Sequence, residues 1–486
     1  MKTAFQFVKR EWVFLAILLF VFLCATYRLT EVPPTWYDEG MIVQLAMNLL
    51  WHGTMATQIA PGVFASGGYT STGFPVVMPV ALSFKLFGVS LLAARSVMVL
   101  YLLLFICASY YFITRIAGRT AGLFSIGLLA TFSTLYGDGK NVLGEVPGLF
   151  YLLLFLIFAH KLFDEGYATK KNALLAGLFA GLCLATKPTF LVLGGAVVIA
   201  LLYTYFYERK KVPFSLVVYA SLAALVPMLV WALTQFGVRA PLSLVLAFYA
   251  NPYGLQHIPS VMLHNALRFF HESTPLYLLG MIGVWAVAVL MRLWRRVSIS
   301  FAEATAFLFV FFIILAYLRT PGWYRYFFPA QLIAPLFFPM SLGYIARQFS
   351  VAKMAVLLQR MAIVLLVLII VLQLYLLLFG SWISQYYHAD KTQVLEHYFK
   401  NWDPNTSIFV YDMPEIPLFL PPGVRYYQYL SLGGQDFGDL GVKELSLIAQ
   451  KVPDVLLVSA GSSTASFAGY HEQDTVEGIA VLKRDR

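Results

Sequence analysis

The chain is short of charge. Only 12% of its 486 residues are Asp, Glu, Lys or Arg, against about 25% in an average soluble domain. With 60% hydrophobic residues and a mean hydropathy of +0.75, this excludes a soluble enzyme built around one large core and leaves a polytopic membrane protein. Cysteine is scarce as well. Cys24, Cys107 and Cys183 all fall in apolar runs without metal-ligand spacing, which excludes a disulfide framework and reads as small core residues. No Walker loop, Ser/His/Asp order, CxxC or HExxH motif is present.

What charge there is has a pattern. A membrane span needs roughly 20 apolar residues, and such runs fall at about 12–30, 92–114, 119–136, 142–162, 173–186, 188–206, 213–236, 274–291, 300–318, 326–345 and 361–380. The first, behind "MKTAFQFVKREW", lacks a small-residue cleavage site and reads as an uncleaved signal anchor. With the N-terminus in the cytoplasm, alternate segments carry Lys2, Lys9, Arg10; Arg115, Arg119; Lys161, Lys170, Lys171; Arg209, Lys210, Lys211; Arg292, Arg295, Arg296; and Arg347, Lys353, Arg360. Positive residues gather on the cytoplasmic side, so the net charge of +10 is largely topological and does not point to nucleic acid. The expected location is the cytoplasmic (inner) membrane, with the C-terminal segment outside.

Two pieces of the first outer loop, 31–91, read as helices that do not span. Residues 40–52 place Ile42, Leu45, Ala46 and Leu49 at helical spacing, which suggests an amphipathic helix in the interface. Residues 74–87 are apolar but too short to cross, and counting them as a span would put every later basic cluster outside. They read as an in-plane or re-entrant helix with Lys85 snorkelling. The expected division is a transmembrane domain over 1–380 and a soluble α/β domain over 381–486. In the latter, 407–412, 424–430, 455–459 and 479–484 read as strands, and "KTQVLEHYFKNW" and "VKELSLIAQK" as helices. Its glycine-rich "SLGGQDFGDLG" lacks the strand and helix context of a phosphate loop. The plain reading of this domain is a lid or a platform for an acceptor.

The outer face carries a sparse set of charges. Asp38 and Glu39, in "PPTWYDEGM", follow the first span directly. Glu145 lies at the outer end of the fourth span, with Asp138 and Lys140 in the same loop. Lys187 sits where two short apolar stretches meet, and Arg325 lies at the outer end of the tenth span with Arg319 six residues earlier. Carboxylates can take a proton from a hydroxyl or hold a metal, and outer cations call for an anion such as a lipid phosphate. A phosphate leaves well when cations stabilise it. Together these residues fit transfer of a group from a lipid phosphate to an external hydroxyl. The alternative is a lipid-linked sugar transporter or flippase, which would use the cations without needing a base. Against it, no internal repeat is evident and the charges lie on one face rather than at mid-depth.

The segments "TWYDEG" (35–40), "SFKLFGVSLLAARSV" (83–97), "GKNVLGEVPGLFY" (139–151), "GLCLATKPT" (181–189) and "WYRYFFPA" (323–330) come in this order. In them the chain resembles the GT-C superfamily of membrane glycosyltransferases, on the branch of protein O-mannosyltransferases and aminoarabinose transferases, over roughly residues 1–345. The resemblance implies a polyprenyl- or dolichyl-phosphate sugar donor, inversion at the anomeric carbon, and a lipid, glycan or protein acceptor. It implies Asp38 as general base, Glu39 as a supporting or metal-facing acid, and Glu145 as a second acid near the acceptor. Lys187 and Arg325 would hold the donor phosphate, helped by Tyr324, with Arg319 and Lys140 as further cations. Lys140 stands where relatives often carry arginine. No cofactor is fixed. A divalent metal stays open, with Glu39, His257 and His264 as its candidate ligands, and Pro259 argues against one unbroken helix through His257, His264 and His271.

Overall fold

The computed structural model describes residues 2–65, 70, 72–209, 213–236, 255–271, 273–348, 352–431, 439–441, 453–460, 467 and 469–485. Apolar runs broken by short basic or glycine-containing loops give a succession of helices: α1 (Lys2–Thr26), α2 (Tyr37–His52), α3 (Phe74–Phe87), α4 (Leu91–Ala117), α5 (Arg119–Thr131), α6 (Ser133–Gly137), α7 (Glu145–Phe163) and α8 (Lys170–Thr186). They continue as α9 (Val192–Leu202), α10 (Phe214–Phe236), α11 (Ile258–His271), α12 (Ser273–Trp294), α13 (Phe301–Leu318), α14 (Phe328–Ala346) and α15 (Ala352–Tyr375). Among the described residues eight helical stretches are long and apolar enough to cross a membrane. The protein is thus a multi-pass α-helical membrane protein. Helices also occupy the other three expected spans, as α1, α5 and α8, without being among those eight.

Burial sorts the helices into inner and outer. In α14, 72% of the apolar window is inside the protein, against 17% in α10, so α14 is central and α10 peripheral. The outward residues of α10 and α15, such as Leu222, Val226, Leu229, Val364, Leu368 and Val371, are exposed aliphatics, as a lipid-facing surface requires. Between α8 and α10 the backbones meet closely. A Cβ on Gly177 would lie 1.9 Å from the Ala220 carbonyl oxygen, and one on Gly181 would lie 2.4 Å from that of Ala224. This is small-residue packing at i, i+4, which brings helices together where no hydrophobic effect drives them.

After residue 380 charge and proline increase and a mixed sheet follows, with α16 (Lys391–Phe399) ahead of it. Its strands are β3 (Ser407–Tyr411), β4 (Arg425–Ser431), β5 (Asp439–Gly441), β6 (Val455–Ser459), β7 (Tyr470–Val476) and β8 (Ile479–Arg484), in the order β5-β4-β3-β6-β8-β7. β3 lies parallel to both β4 and β6, and the outer strands run antiparallel. The apolar stretches of β3, β6 and β8 form the buried middle. The helix expected over 442–451 lies outside the described residues, as does most of "SLGGQDFGDLG". A hairpin of β1 (Thr57–Ala60) and β2 (Val63–Ala65) follows α2.

Both helices expected in the 31–91 loop are present, and α2 has surroundings that its sequence did not suggest. Residues Glu39–Asn48 are all buried, so protein covers α2 on every side over that stretch. It packs on α3, on β1 and on the turn Ile416–Leu418 ahead of β4. Helical spacing of apolar residues reports the period and not what covers the opposite face. In α3, Lys85 is exposed near the C-terminal end.

Gly177→Leu must force α8 and α10 apart, an overpacking cost of about 1–3 kcal/mol. Thermal unfolding in detergent should therefore show a lowered Tm, and an unchanged Tm would mean that this contact does not carry the packing.

Candidate functional site

The first turn of α2 splits the paired acids. Extended backbone at Trp36 starts the helix, and Asp38 and Glu39 sit where its dipole favours anions. Successive helical residues point about 100° apart, so the two carboxylates face different surroundings. Glu39 turns inward and is fully buried. Arg95, in the second turn of α4 and also fully buried, donates from Nε to Glu39 Oε1 at 2.8 Å and from Nη2 to Oε2 at 2.6 Å. Its Nη1 donates to the carbonyls of Leu29 and Pro33, both at 2.8 Å. Glu39 Oε1 accepts a further bond from the Val142 N–H at 3.0 Å. Such a bidentate pair is the geometry in which buried charges are tolerated, and here it ties together the first loop, α4 and the 138–144 loop.

Asp38 turns the other way, half-buried, and forms an ion pair with Arg325. Arg325 lies in the 3₁₀ turn Tyr324–Tyr326 that leads into α14. Its guanidinium is 4.7 Å from the ring centre of Trp323, 5.1 Å from that of Tyr326 and 5.5 Å from that of Trp36. Stacked aromatic rings hold a guanidinium without neutralising it. Tyr324 stacks on Tyr317, and Arg268 from α11 lies 5.4 Å over its ring.

The second acid stands at the head of α7. Glu145 is buried, and its Oε1 accepts from Lys187 Nζ. Gly144 allows this approach, since a Cβ there would lie 3.2 Å from Lys187 Cβ. Glu145 Oε2 is buried and has no hydrogen-bond partner among the described residues. Nearby Asp138 is pushed up to about 7 by burial first and by the charge of Glu145 second, with Lys187 pulling it down.

The structure therefore brings Asp38 to Arg325, Glu39 to Arg95 and Glu145 to Lys187, and the Glu39–Val142 bond joins the loops that carry them. It places two expected cations, Lys140 and Arg319, otherwise. Lys140 is buried and donates to the carbonyls of Tyr27 at 2.9 Å and Cys24 at 3.3 Å, at the C-terminal end of α1. Burial, and then the charge of Arg95, hold its ammonium down at about 7. Arg319 is exposed at the end of α13. Arg268, which the sequence did not single out, reaches the Tyr324 turn instead.

The candidate metal ligands do not gather. Both oxygens of Glu39 are engaged by the Arg95 guanidinium, which would repel a second cation. His257 and His264 are exposed. α11 begins at Ile258, with Pro259 in its first turn where proline is tolerated, so His257 lies outside the helix. Among the described residues no three His, Cys, Asp or Glu side chains come together as a metal site. Arg95 lies in the segment "SFKLFGVSLLAARSV" but was given no role there, although a charge near the end of an apolar helix asks for a partner.

Asp138 gives a pH signature. Its folded value near 7 lies above the ordinary 3.8, so between those values the folded chain holds a proton that the unfolded chain releases. The stability this contributes is full below about pH 4 and lost as pH rises through about 7. Asp138→Asn should therefore raise Tm relative to wild type more at about pH 8 than at about pH 5. An equal difference at both would show that Asp138 does not titrate there.

A family model described as dolichyl-phosphate-mannose-protein mannosyltransferase matches residues 76–231. No curated protein matches the chain in sequence. Among solved structures the chain is similar to ArnT from Cupriavidus metallidurans bound to undecaprenyl phosphate, at 14% identity and a TM-score of 0.59 over 98% of both chains. It is similar to the apo state of that protein at 15% identity and a TM-score of 0.56, over 99% of this chain and 98% of the other. It is also similar to the oligosaccharyltransferase of Archaeoglobus fulgidus in complex with Zn and sulfate, at 14% identity and a TM-score of 0.50, over 85% of this chain and 62% of that one. From α1 to the C-terminal sheet the chain thus shares the fold of ArnT, and within it residues 76–231 match the mannosyltransferase family model.

Proposed function

We propose that this protein is an inverting glycosyltransferase that moves a sugar from a polyprenyl-phosphate donor to an acceptor hydroxyl on the outer face of the cytoplasmic membrane. In this reading the N-terminus is cytoplasmic, residues 1–380 form the transmembrane catalytic domain, and residues 381–486 form a soluble domain outside. The acceptor is a lipid, a glycan or a protein. The observation that carries the proposal is the contact of Asp38 with Arg325: a partly exposed carboxylate meets a guanidinium held by three aromatic rings. One group can take a proton, and the other can bind a phosphate.

The reaction follows from those groups. The donor phosphate replaces Asp38 as partner of Arg325, which frees the carboxylate. Asp38 takes the proton of the acceptor hydroxyl as the hydroxyl oxygen attacks the anomeric carbon. The bond from that carbon to the phosphate oxygen breaks on the opposite face, and its electron pair leaves with the polyprenyl phosphate. Arg325 and Lys187 stabilise the charge gained there. Tyr324 lines the same turn, and the unpartnered oxygen of Glu145 is available to an acceptor hydroxyl. Glu39 is a supporting acid that fixes the turn through Arg95.

The test is transfer in proteoliposomes with a panel of radiolabelled polyprenyl-phosphate sugars and an extract of envelope acceptors. Wild type should label an acceptor. Asp38→Asn should lower the rate by about 10²–10⁴-fold, the range for loss of a general base, and still bind polyprenyl phosphate. Label that crosses the bilayer without transfer, equally in both proteins, would replace this reading with a transporter.

A further inference from the structure

The turn that carries Asp38 is gripped from outside by the C-terminal domain. Tyr37, immediately before it, donates from its hydroxyl to Asp412 Oδ1 at 3.0 Å and contacts the Ser431 carbonyl at 3.1 Å. Asp412 Oδ1 also accepts from the Ser431 N–H at 2.7 Å, and the Asp412 N–H donates to the Tyr429 carbonyl at 2.7 Å. Asp412 has φ +57°, a left-handed conformation that Asp adopts more readily than most residues. Gly40, two residues after Asp38, touches the backbone of the same loop: a Cβ there would lie 2.4 Å from the Glu415 nitrogen. One turn further on, Gln44 donates to the Pro414 carbonyl at 2.6 Å and accepts from Gln428 at 2.8 Å. Both glutamines are buried, so each depends on the other and on backbone for partners, and a lost partner would cost about 1–3 kcal/mol.

The other end of the loop is gripped too. Glu31 is buried and accepts from the N–H groups of Thr392 and Gln393, both at 3.1 Å. Its carboxylate lies on the N-terminus of α16, where the helix dipole favours an anion. Arg28 donates to the Ala389 carbonyl and pairs with Asp390. The segment from Arg28 to Gln44 is therefore fixed from within by Arg95 and from outside at both ends by residues 389–431.

We infer that the C-terminal domain is a positioning element for the base, acting through Asp412 on Tyr37 and through Pro414 and Gln428 on Gln44, so that Asp38 keeps its place at the reacting centre. Catalytic groups must be held within about 0.5 Å of the productive geometry, and a displacement of about 1 Å can cost about 10²-fold in rate. The base role rests on the function proposed above. The grip on α2 does not.

The test uses the full-length protein with three substitutions. Tyr37→Phe removes only the hydroxyl, Asp412→Ala removes the acceptor, and Asp412→Asn keeps an acceptor oxygen in place. Amide hydrogen exchange at residues 40–44 should quicken at least about tenfold in Tyr37→Phe and Asp412→Ala and stay near wild type in Asp412→Asn, with α4 and α14 unchanged. Transfer should follow: kcat falls about tenfold or more with the KM for the donor unchanged in the first two, and is largely retained in Asp412→Asn. Wild-type exchange at 40–44 in Tyr37→Phe would overturn the inference, and so would quickened exchange with unchanged kcat. Quickened exchange in a protein whose wild type transfers no sugar from any polyprenyl-phosphate donor would uphold the grip and sink the proposed function.

Discussion

The bond between Arg95 and Glu39 is the constraint on which the placement of Asp38 and of the loops around it depends. Both groups are completely buried. In a low-dielectric interior neither charge is tolerable alone, and each is tolerable with the other if the remaining donors and acceptors are satisfied. They are satisfied by Leu29, Pro33 and Val142, which belong to the ends of the two loops that must converge. One ion pair thus sets where the first turn of α2 lies, which way Asp38 points and how close the 138–145 loop comes to it.

The adjacent acids of "YDEG" consequently do different work. Glu39 is spent on structure, and Asp38 is left at a partly exposed edge facing Arg325. The same division recurs nearby: Lys140 closes the end of α1 while Lys187 pairs with Glu145. The C-terminal sheet adds a second hold on the loop from the opposite side, through neutral hydrogen bonds and one close backbone contact at Gly40.

Much of this was legible in the sequence because two of its signals are averages over many residues. Apolar runs and the alternation of basic clusters mark the helices and loops, and the apolar stretches of β3, β4, β6 and β8 mark the inner sheet. The edge strand β7, "YHEQDTV", is almost wholly exposed. Its polarity protects an open edge and removes the apolar alternation that would reveal it. The pairings were not legible either. Arg95 and Glu39 are 56 positions apart, and nothing local distinguishes Arg95 from a span-end anchor. Burial of α2 comes from partners remote in sequence, such as Gln428, 384 positions from Gln44, which the local spacing of apolar residues does not reveal. Pro259 marks a helix start, where a proline in the first turn loses no hydrogen bond, so no unbroken helix runs through His257, His264 and His271, as its position in the sequence suggests.

The most direct measurement is a double-mutant cycle on the buried pair, read by thermal or denaturant unfolding of the purified protein. Arg95→Met and Glu39→Gln each remove one partner, and Arg95→Met alone should cost about 3–5 kcal/mol because it strands a buried carboxylate. The account predicts strong coupling, with the double variant more stable than Arg95→Met alone. Additive losses, with the double variant the least stable of the three, would show that the pair does not hold this face together.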